Sequence, residues 1–440
     1  MTLDRRLGRL EAAGLSLSIV APTMAMAFNV TLVVSVAGRA APLAFLIGTA
    51  LLALVGLSFV AFSRQEASAG SAQAYVRTQF GPRAGFVAGW MLLLSYLCFG
   101  AGTAVLVGHF LAAAINDAGI RASGFWLPVS LASMAIGLAF SWRDMQRAAR
   151  LILALELVSV AAIAALNIHI LSVVAQGGPL PLAPFLPDPG KGWMGVGVAL
   201  VFAVLSFAGF EGAATVAEET RDPQRAIPIA IIGTVVLGGA FYVFTAYTQV
   251  VGYAAGGLGD LAGDSAPLDT LARRYGTISF AAGLNLAAAL SAFSCVLGSL
   301  NAAARMVMVL AREGYPALAA AHHRHGTPTN ALMLCAAVMT TLVLIWATRA
   351  SAADIYGYLG TIGSLALILV YIGVTLAQSA FALSRRGRAA FLAGWAGTAV
   401  LIWPLYNSLY PVPAWPGNLW PPLVLAWLVA GALLARTFAR

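Results

Sequence analysis

Residues 207–228 read FAGFEGAATVAEETRDPQRAIP, and this stretch decides how the chain is interpreted. It continues the apolar run VGVALVFAVLS at 196–206, yet it carries two glycines around Glu211 and then a burst of charged residues. In a soluble protein such a stretch would be a loop. In a membrane span it would be an interrupted helix, because glycine weakens a helix and an ionisable residue is costly there. The rest of the chain separates these two interpretations.

The composition favours a membrane protein. Of the 440 residues, 60% are hydrophobic and only 9% are charged, and the mean hydropathy is +0.87. A soluble domain carries about 25% charged residues, so these few charges could not cover a soluble protein of this length. The apolar blocks are long enough to cross a bilayer as helices. The sequence therefore predicts an all-α membrane protein.

Twelve transmembrane helices are predicted from the apolar blocks, and they cover 14–37, 40–62, 84–115, 124–141, 149–174, 194–217, 228–252, 277–304, 329–347, 354–376, 390–409 and 418–435. With the N-terminus in the cytoplasm, 19 of the 25 Lys and Arg residues lie on the cytoplasmic side. Basic residues favour that side, so both termini are predicted to be cytoplasmic, in a multi-pass protein of the cell (plasma or inner) membrane. No removable signal peptide is expected, because no small-residue cleavage site precedes the first long span.

Spans 1–5 and 6–10 are predicted to be repeats of opposite orientation. The third and eighth spans are both unusually long, and each follows an aromatic–glycine pair, Phe80-Gly81 inside and Tyr275-Gly276 outside. Opposite sides are what an inverted repeat requires. The chain is then one transmembrane transporter domain, 1–440, composed of a first repeat at 14–174, a second at 194–376 and two additional helices at 390–435.

The first and sixth spans, which correspond in the two repeats, are both interrupted. Pro22 lies in the first span, and Gly209 and Gly212 lie in the sixth. In lipid every backbone polar group needs a partner, so a break is tolerated only where it lines a cavity or meets a ligand. Interrupted spans at matching places therefore indicate a substrate site near the bilayer midplane.

Three stretches of the chain resemble signatures of the amino acid–polyamine–organocation (APC) superfamily of transporters. FAGFEGAATVAEETRDPQRAIP is similar to the sixth-span signature, and YVRTQFGPRAGFVAGW at 75–90 is similar to the approach to the third span. LGSLNAAARMVMVLAREGYPALAAAHHRHGTPTNAL at 297–332 is similar to the exit of the eighth span and the entry of the ninth. The resemblance covers nearly the whole chain. It implies the 5+5 inverted-repeat fold with broken helices 1 and 6, plus two extra helices.

The chain departs from this family pattern in two places. Many members carry a Gly-rich break in span 1, where this chain has Thr23, Met24 and Ala25 beside Pro22. Members often carry a lysine on span 5 to which ion coupling is attributed, and span 5 here contains Glu156 and no lysine. A mechanism therefore cannot be copied from the family without further evidence from this chain.

Backbone groups at the two breaks are the candidate substrate-binding elements. The residues concerned are Thr23, Met24 and Ala25 in span 1 and Phe207, Ala208, Gly209, Phe210 and Glu211 in span 6. The N–H groups of the first set are expected to bind a substrate carboxylate, unless the proline only kinks the helix. The carbonyls before Phe210 are expected to bind a substrate amine. Phe210 would then be a hydrophobic wall or lid, unless it is a packing residue.

Two acidic residues lie at membrane depth, where an ionisable side chain is a candidate for function. Glu211 either faces the substrate or caps the inner half-helix, whose N-terminus favours negative charge. Glu156 is the candidate for proton coupling, since it is a lone carboxylate in an apolar helix. The alternative for Glu156 is pairing with a cytoplasmic arginine, but Arg150 is six residues away, a rise of about 9 Å.

Ser291 and Ser294 on span 8 are candidates for a sodium site, with sodium as the alternative coupling ion. Serines in spans more often bond to their own backbone or to a neighbouring helix. His322, His323 and His325 form a histidine cluster in a basic loop without acidic or cysteine neighbours, so no metal site is expected there.

The sequence predicts a secondary active transporter that carries a small amino acid or related amine by alternating access, with protons as the coupling ion. The alternatives are a polyamine- or ethanolamine-type organocation as cargo, sodium coupling, or exchange. A nucleotide-binding motif is absent from the sequence, and the spans show no cluster of ligating side chains that an enzyme would need. ATP drive, enzyme activity and a cofactor are therefore not expected. The net charge of +9 does not indicate a nucleic-acid partner, because the basic residues lie between the spans.

Overall fold

The computed structural model describes residues 14, 16–17, 19–64, 71–120, 124–142, 145–312, 315–319, 328–384 and 387–438. These residues are mainly helical. The long helices are α1 Pro22–Ala37, α2 Ala41–Ser63, α3 Pro82–Asp117, α4 Trp126–Trp142, α5 Met145–Gln176, α6 Gly192–Phe207, α7 Pro223–Gly256, α8 Ile278–Ala311, α9 Thr329–Trp346, α10 Ala352–Ser384, α11 Arg388–Leu409 and α12 Trp420–Phe438. Shorter helices are Ala72–Phe80, Pro267–Tyr275 and Pro316–Ala319.

Nine stretches within the described residues are long and apolar enough to cross a membrane. One of them, Pro22–Ser63, contains both α1 and α2. The apolar helix α4 has 17 residues and is shorter than all nine stretches. Helix α11 is not among the nine. The lengths and hydropathy of these helices indicate a multi-pass membrane protein, and the count of twelve spans stays a prediction.

Helix α3 lies at the centre of the molecule. Its most apolar 18-residue window is completely buried, and it packs against both α8 and α10. Gly100 and Gly102 lie where an added side chain would meet Met339 of α9 and Tyr356 of α10. Small residues let membrane helices approach closely, which explains why an apolar helix with these glycines occupies the most crowded position.

Helix α12 is attached to α3 by two tryptophans. The rings of Trp90 and Trp427 stack, with their centroids 4.5 Å apart and an angle of 11° between their planes. The Trp90 indole N–H donates to the Trp427 carbonyl at 3.0 Å, and the Trp427 indole N–H donates to the Trp90 carbonyl at 2.9 Å. This reciprocal pair, the tryptophan clasp, satisfies both indole donors inside the apolar region.

Four of the five pairs of corresponding helices in the two predicted repeats pack against each other. The pairs are α1 with α6, α2 with α7, α3 with α8, and α4 with α9. Two repeats related by a pseudo-two-fold axis would bring helices near that axis together with their own counterparts. The packing therefore supports the inverted repeat, whose details stay a prediction.

The first span is interrupted at Ala21, directly before α1. Ala21 adopts a left-handed backbone conformation, with φ 46° and ψ 62°, which costs an L-residue about 1–2 kcal/mol. Pro22 then begins α1, where its missing N–H is tolerated because the first N–H groups of a helix have no partner within it. The interruption thus lies one residue before the proline that indicated it.

The sixth span is interrupted between Phe207 and Phe210. Helix α6 ends at Phe207, and a 3₁₀ segment, Phe210–Glu219, continues the chain. Gly209 between them has φ 99°, a conformation that side chains with a Cβ atom rarely adopt. Glycine at this position is therefore required by the backbone of the break.

The connection between α7 and α8 covers the C-terminal part of α1. The Thr31 hydroxyl donates to the Asp264 carbonyl at 2.9 Å, and the His109 Nε2 atom lies 2.9 Å from the Ser265 carbonyl. The helix Pro267–Tyr275 follows, and its Arg273 contacts both Asp117 of α3 and Asp269. These bonds attach the connection to the C-terminal ends of α1 and α3.

Candidate functional site

Glu156 joins three helices at the N-terminus of α1. Its side chain is 4% exposed. Its Oε1 atom accepts the Thr23 backbone N–H at 2.7 Å and the Ser291 hydroxyl at 3.0 Å. The Ser291 oxygen in turn accepts the Met24 backbone N–H at 3.1 Å. Carboxylate, hydroxyl and two backbone N–H groups thus form one network between α1, α5 and α8.

This network takes the place of an ordinary helix cap. The first N–H groups of a helix lack intrahelical partners, and the partial positive charge there favours a carboxylate. The methyl side chain of Ala21, the residue before α1, makes no capping hydrogen bond to the helix. The N–H groups of Thr23 and Met24 are bonded within the network, and the Ala25 N–H donates to the Ala21 carbonyl at 2.9 Å. All three N–H groups predicted to bind a substrate carboxylate therefore have partners within the chain.

Glu211 is held by two tyrosines. The hydroxyl of Tyr96 on α3 donates to its Oε1 atom at 3.2 Å, and the hydroxyl of Tyr371 on α10 donates to its Oε2 atom at 2.8 Å. Glu211 is completely buried in the first turn of the 3₁₀ segment. Its carboxylate therefore connects the broken sixth span to α3 and α10, and a direct role in substrate binding stays a prediction.

The aromatic residues of the sixth-span break are buried in two separate clusters. The Phe207 ring meets the Tyr242 ring edge-on, with the centroids 4.8 Å apart. Phe210 contacts Phe59 and Tyr371 at centroid distances of 5.6 and 5.4 Å. Both phenylalanines have no exposed surface, so each packs in the core of this conformation.

Two hydrogen bonds join backbone groups to each other at this break. The Ala208 N–H donates to the Leu205 carbonyl at 3.2 Å, and the Gly209 carbonyl accepts the Gly212 N–H at 2.8 Å. The predicted binding of a substrate amine by carbonyls of Phe207, Ala208 and Gly209 stays a prediction. The Gly209 carbonyl would have to accept that amine in addition to, or in place of, the Gly212 N–H.

Ile19 occupies a socket lined by three glycines that the sequence analysis did not connect with it. An added Cβ atom on Gly209, Gly212 or Gly298 would collide with the Ile19 side chain. Nearby, the Ser16 hydroxyl donates to the Phe210 carbonyl at 2.8 Å and accepts the Ala213 N–H at 3.0 Å. The segment before the break in the first span is therefore fixed to the sixth and eighth spans.

A second polar network links four helices on the other side of the α1 break. The Asn29 amide donates to the Ser206 hydroxyl at 2.8 Å and accepts the Tyr356 hydroxyl at 2.7 Å. The Tyr242 hydroxyl donates to the Ser206 carbonyl at 2.8 Å. Asparagine inside an apolar span was the signal that could have revealed this network, because a buried amide needs partners.

The predicted sodium residues lie on one face of α8. Ser291 belongs to the Glu156 network, and the Ser294 hydroxyl donates to the Ser291 carbonyl at 2.7 Å. The sodium site stays a prediction. Within the described residues no group of three or more His, Cys, Asp and Glu side chains could hold a metal ion, and the histidines of the basic loop lie outside those residues.

Comparison of the sequence with known proteins identifies the family of this chain. A family model described as amino acid permease matches residues 15–406. The chain is 31% identical over 209 residues to the low-affinity putrescine importer PlaP of Escherichia coli (strain K12), which covers 44% of each protein. It is 27% identical over 305 residues to the branched-chain amino acid permease BcaP of Lactococcus lactis subsp. cremoris (strain MG1363), covering 63% of this chain and 62% of the relative.

A longer match runs through the whole chain. The methylthioribose transporter of Bacillus subtilis (strain 168) is 24% identical over 463 residues, which covers 100% of this chain and 94% of the relative. By contrast, the chain spans less than two thirds of the length of the putrescine importer and the branched-chain permease, at 44% and 62%. The names of all three relatives describe transport, and they describe three different cargoes.

Proposed function

The chain belongs to the amino acid permease family, and we propose that it is a secondary active transporter of a small amino acid or related amine, coupled to protons through Glu156. The observation that carries the coupling is the bridge from this buried carboxylate to the Thr23 N–H and the Ser291 hydroxyl. When an ionisable group at membrane depth bonds to a broken helix, binding of a proton to that group can change the position of the helix.

The chemistry of coupling follows from what a proton does to the carboxylate. The ionised group only accepts hydrogen bonds, whereas the protonated group also donates one. Hydrogen bonds to a charged acceptor are roughly twice as strong as neutral ones. Protonation of Glu156 therefore weakens its hold on Thr23 and Ser291, and α1 becomes easier to move relative to α5 and α8.

Alternating access would use contacts on both sides of the α1 break. On the predicted cytoplasmic side, Ile19 lies in the glycine socket and Ser16 bonds to the sixth span. On the predicted outer side, Thr31 bonds to the connection between α7 and α8. Opening to one side requires the release of one set of contacts while the other set is retained, as in rocking of a repeat around a fixed site.

Glu156→Gln in proteoliposomes tests the proposal, after a thermal-shift screen of the purified protein against amino acids and amines has supplied a cargo. Glutamine keeps the shape of glutamate and does not titrate. We expect counterflow exchange to continue and accumulation driven by an imposed pH gradient to be lost. Glu211→Gln is the matched control, and its ratio of pH-driven accumulation to counterflow should equal that of the wild type.

Three results would change the proposal. Retained pH-driven accumulation in the Glu156→Gln protein would remove Glu156 from coupling. Accumulation driven by a sodium gradient, and lost in Ser291→Ala or Ser294→Ala, would replace the proton with sodium. Counterflow without accumulation under any gradient would make the protein an exchanger.

A further inference from the structure

The N-terminus of α1 already contains a carboxylate supplied by the protein itself. In broken-helix transporters this half-helix terminus is the place where the positive end of the helix dipole faces an anionic group of the substrate. Here the Thr23 N–H points to Glu156 and the Met24 N–H points to Ser291. Both donors that a substrate carboxylate would use are occupied by buried side chains.

A substrate carboxylate would have to displace Glu156 or lie beside it. Two carboxylates close together repel each other strongly where water is excluded. A displaced Glu156 would lose the two hydrogen bonds of its Oε1 atom, and a buried charge without partners is strongly destabilising. The electrostatics of this terminus therefore oppose a carboxylate and favour a cation.

The hydrogen-bonding groups around α1 point to the same cargo independently. The amide N–H of Gln249 donates to the Met26 carbonyl at 2.7 Å, and that of Asn167 donates to the Thr245 hydroxyl at 2.9 Å. Both amide oxygens are buried and have no hydrogen-bond partner. Since the Gln249 amide is bonded to α1 itself, its free oxygen lies beside the first turns of that helix.

Unpartnered amide oxygens require donors, because they only accept hydrogen bonds. Among the described residues, the buried side-chain polar atoms without a partner are four amide oxygens, including those of Gln249 and Asn167, and three hydroxyls. An alkylammonium group carries three N–H donors and no acceptor, whereas a carboxylate supplies only acceptors. Met26 lies three residues beyond Thr23 on α1, a rise of about 4.5 Å, so Glu156 and Gln249 bond to neighbouring turns of the same helix.

We propose that the cargo is a small primary amine without a carboxylate, and that Glu156 takes the position a substrate carboxylate would otherwise occupy. This inference rests on the proposed transport function and narrows its substrate class. The ammonium group binds beside Glu156, and the unpartnered Gln249 oxygen accepts a further donor of the cargo.

Matched pairs of compounds that differ by one carboxylate test this. The full-length protein in nanodiscs is titrated with putrescine and ornithine, and with 2-methylpropylamine and valine, and the ligand-dependent rise in Tm gives Kd. We expect each amine that binds to have a Kd at least tenfold below that of its carboxylated partner. In Glu156→Ala the Thr23 N–H is released, and the ratio of the amino acid's Kd to the amine's Kd should fall at least tenfold.

Asp354→Asn is the matched control, because Asp354 is an exposed carboxylate that caps its own helix through Ser351. It should leave the ratio of the two Kd values unchanged. Tighter binding of the amino acid in either pair by the wild-type protein overturns the inference and leaves the transport proposal intact. If no amine or amino acid binds or is transported, the transport proposal fails and this inference fails with it. The wild-type ratios decide the matter even if Glu156→Ala does not fold.

Discussion

At the scale of single residues, the two buried carboxylates of the spans are held in different ways. Glu156 bonds to a backbone N–H and a serine hydroxyl at a helix terminus, whereas Glu211 bonds to two tyrosine hydroxyls from different helices. The first arrangement depends on the position of α1. The second connects three elements around the sixth-span break, so we expect its loss to be seen first as lost stability.

Tyr371→Phe should lower the thermal stability of the purified protein. The substitution removes one hydrogen bond from the buried Glu211 carboxylate, and a hydrogen bond to a charged group contributes about 1.5–3 kcal/mol. Tyr406→Phe is the control, because the Tyr406 side chain is 56% exposed. Equal Tm values for Tyr371→Phe and the wild type would show that Glu211 does not depend on this tyrosine.

Gly209→Ala should reduce transport at least tenfold, whereas Gly283→Ala should change it less than twofold. Gly209 combines φ 99° with contact to Ile19, so a methyl group is both strained and obstructed. Nothing lies within 4 Å of a Cβ atom added to Gly283. Initial uptake rates, normalised to the protein present in the membrane, measure the effect. Equal losses at both positions would mean that Gly209 has no special role in the break.

Sequence reasoning located Glu156 and Glu211 because an acid within an apolar block stands out from its surroundings. It could not find their partners. Thr23 is 133 residues from Glu156 in the sequence, and the group that it contributes is a backbone N–H, which every residue except proline possesses. Ile19 and Gly298 carry no such signal, because isoleucine and glycine are common in membrane helices.

At the scale of elements, the connection between α7 and α8 is attached by a cluster with more acid than base. Arg273 is shared between Asp117 and Asp269, and the Asn285 amide donates to both carboxylates at 3.0 Å. Burial raises the pKa of Asp269 to about 6; the Asn285 hydrogen bond opposes this rise and the charge of Asp264 adds to it. We therefore expect Asp269 to take up a proton under mildly acidic conditions.

The stability of the wild type relative to Asp269→Asn should fall as pH rises from about 4 to about 6. A raised pKa means that the folded protein holds this proton over a range in which the unfolded chain, with a pKa of about 3.9, has lost it. Stability from Asp269 is therefore greatest below that range, and it stays constant above pH 6. Tm measured for both proteins across the range gives the difference, and a difference independent of pH contradicts the assignment.

The two interruptions differ in how far the sequence could specify them. Proline restricts the conformations that the backbone can adopt and glycine widens their range, so Pro22 and Gly209 were visible in the sequence as signals of a break. The left-handed conformation of Ala21 was not, because alanine disfavours it and only the surrounding packing can impose it. The positions of the two breaks are therefore predictable to within a residue or two here, whereas the residue that bears the strain is not.

At the scale of the whole molecule, the distribution of arginine predicts the orientation that the transport proposal assumes. Hydropathy and sequence similarity establish the helical fold and the family. They do not establish on which side of the membrane each connection lies, or whether the two halves of the chain are repeats. The pairing of α1 with α6 and of α3 with α8 supports the repeat through packing between distant parts of the chain, which no local pattern encodes.

Single-cysteine labelling tests the orientation. After replacement of the three buried cysteines, Ser265→Cys should react with an impermeant thiol reagent in intact cells, and Ala317→Cys should react only after lysis. Ser265 and Ala317 are both exposed in the described structure, so each is a suitable position for the reagent. The opposite pattern at the two positions would invert the predicted topology and exchange the two sides of the proposed gate.

The tryptophan clasp has a consequence for the order in which the protein is completed. Trp90 and Trp427 are 337 residues apart, so at about 5–20 residues per second the ribosome needs roughly 15–70 s to make the second after the first. During that interval the Trp90 indole lacks both the Trp427 ring and its carbonyl acceptor. The newly inserted α3 must then be accommodated by lipid or by the insertion machinery, and the molecule can close around it only when α12 leaves the ribosome.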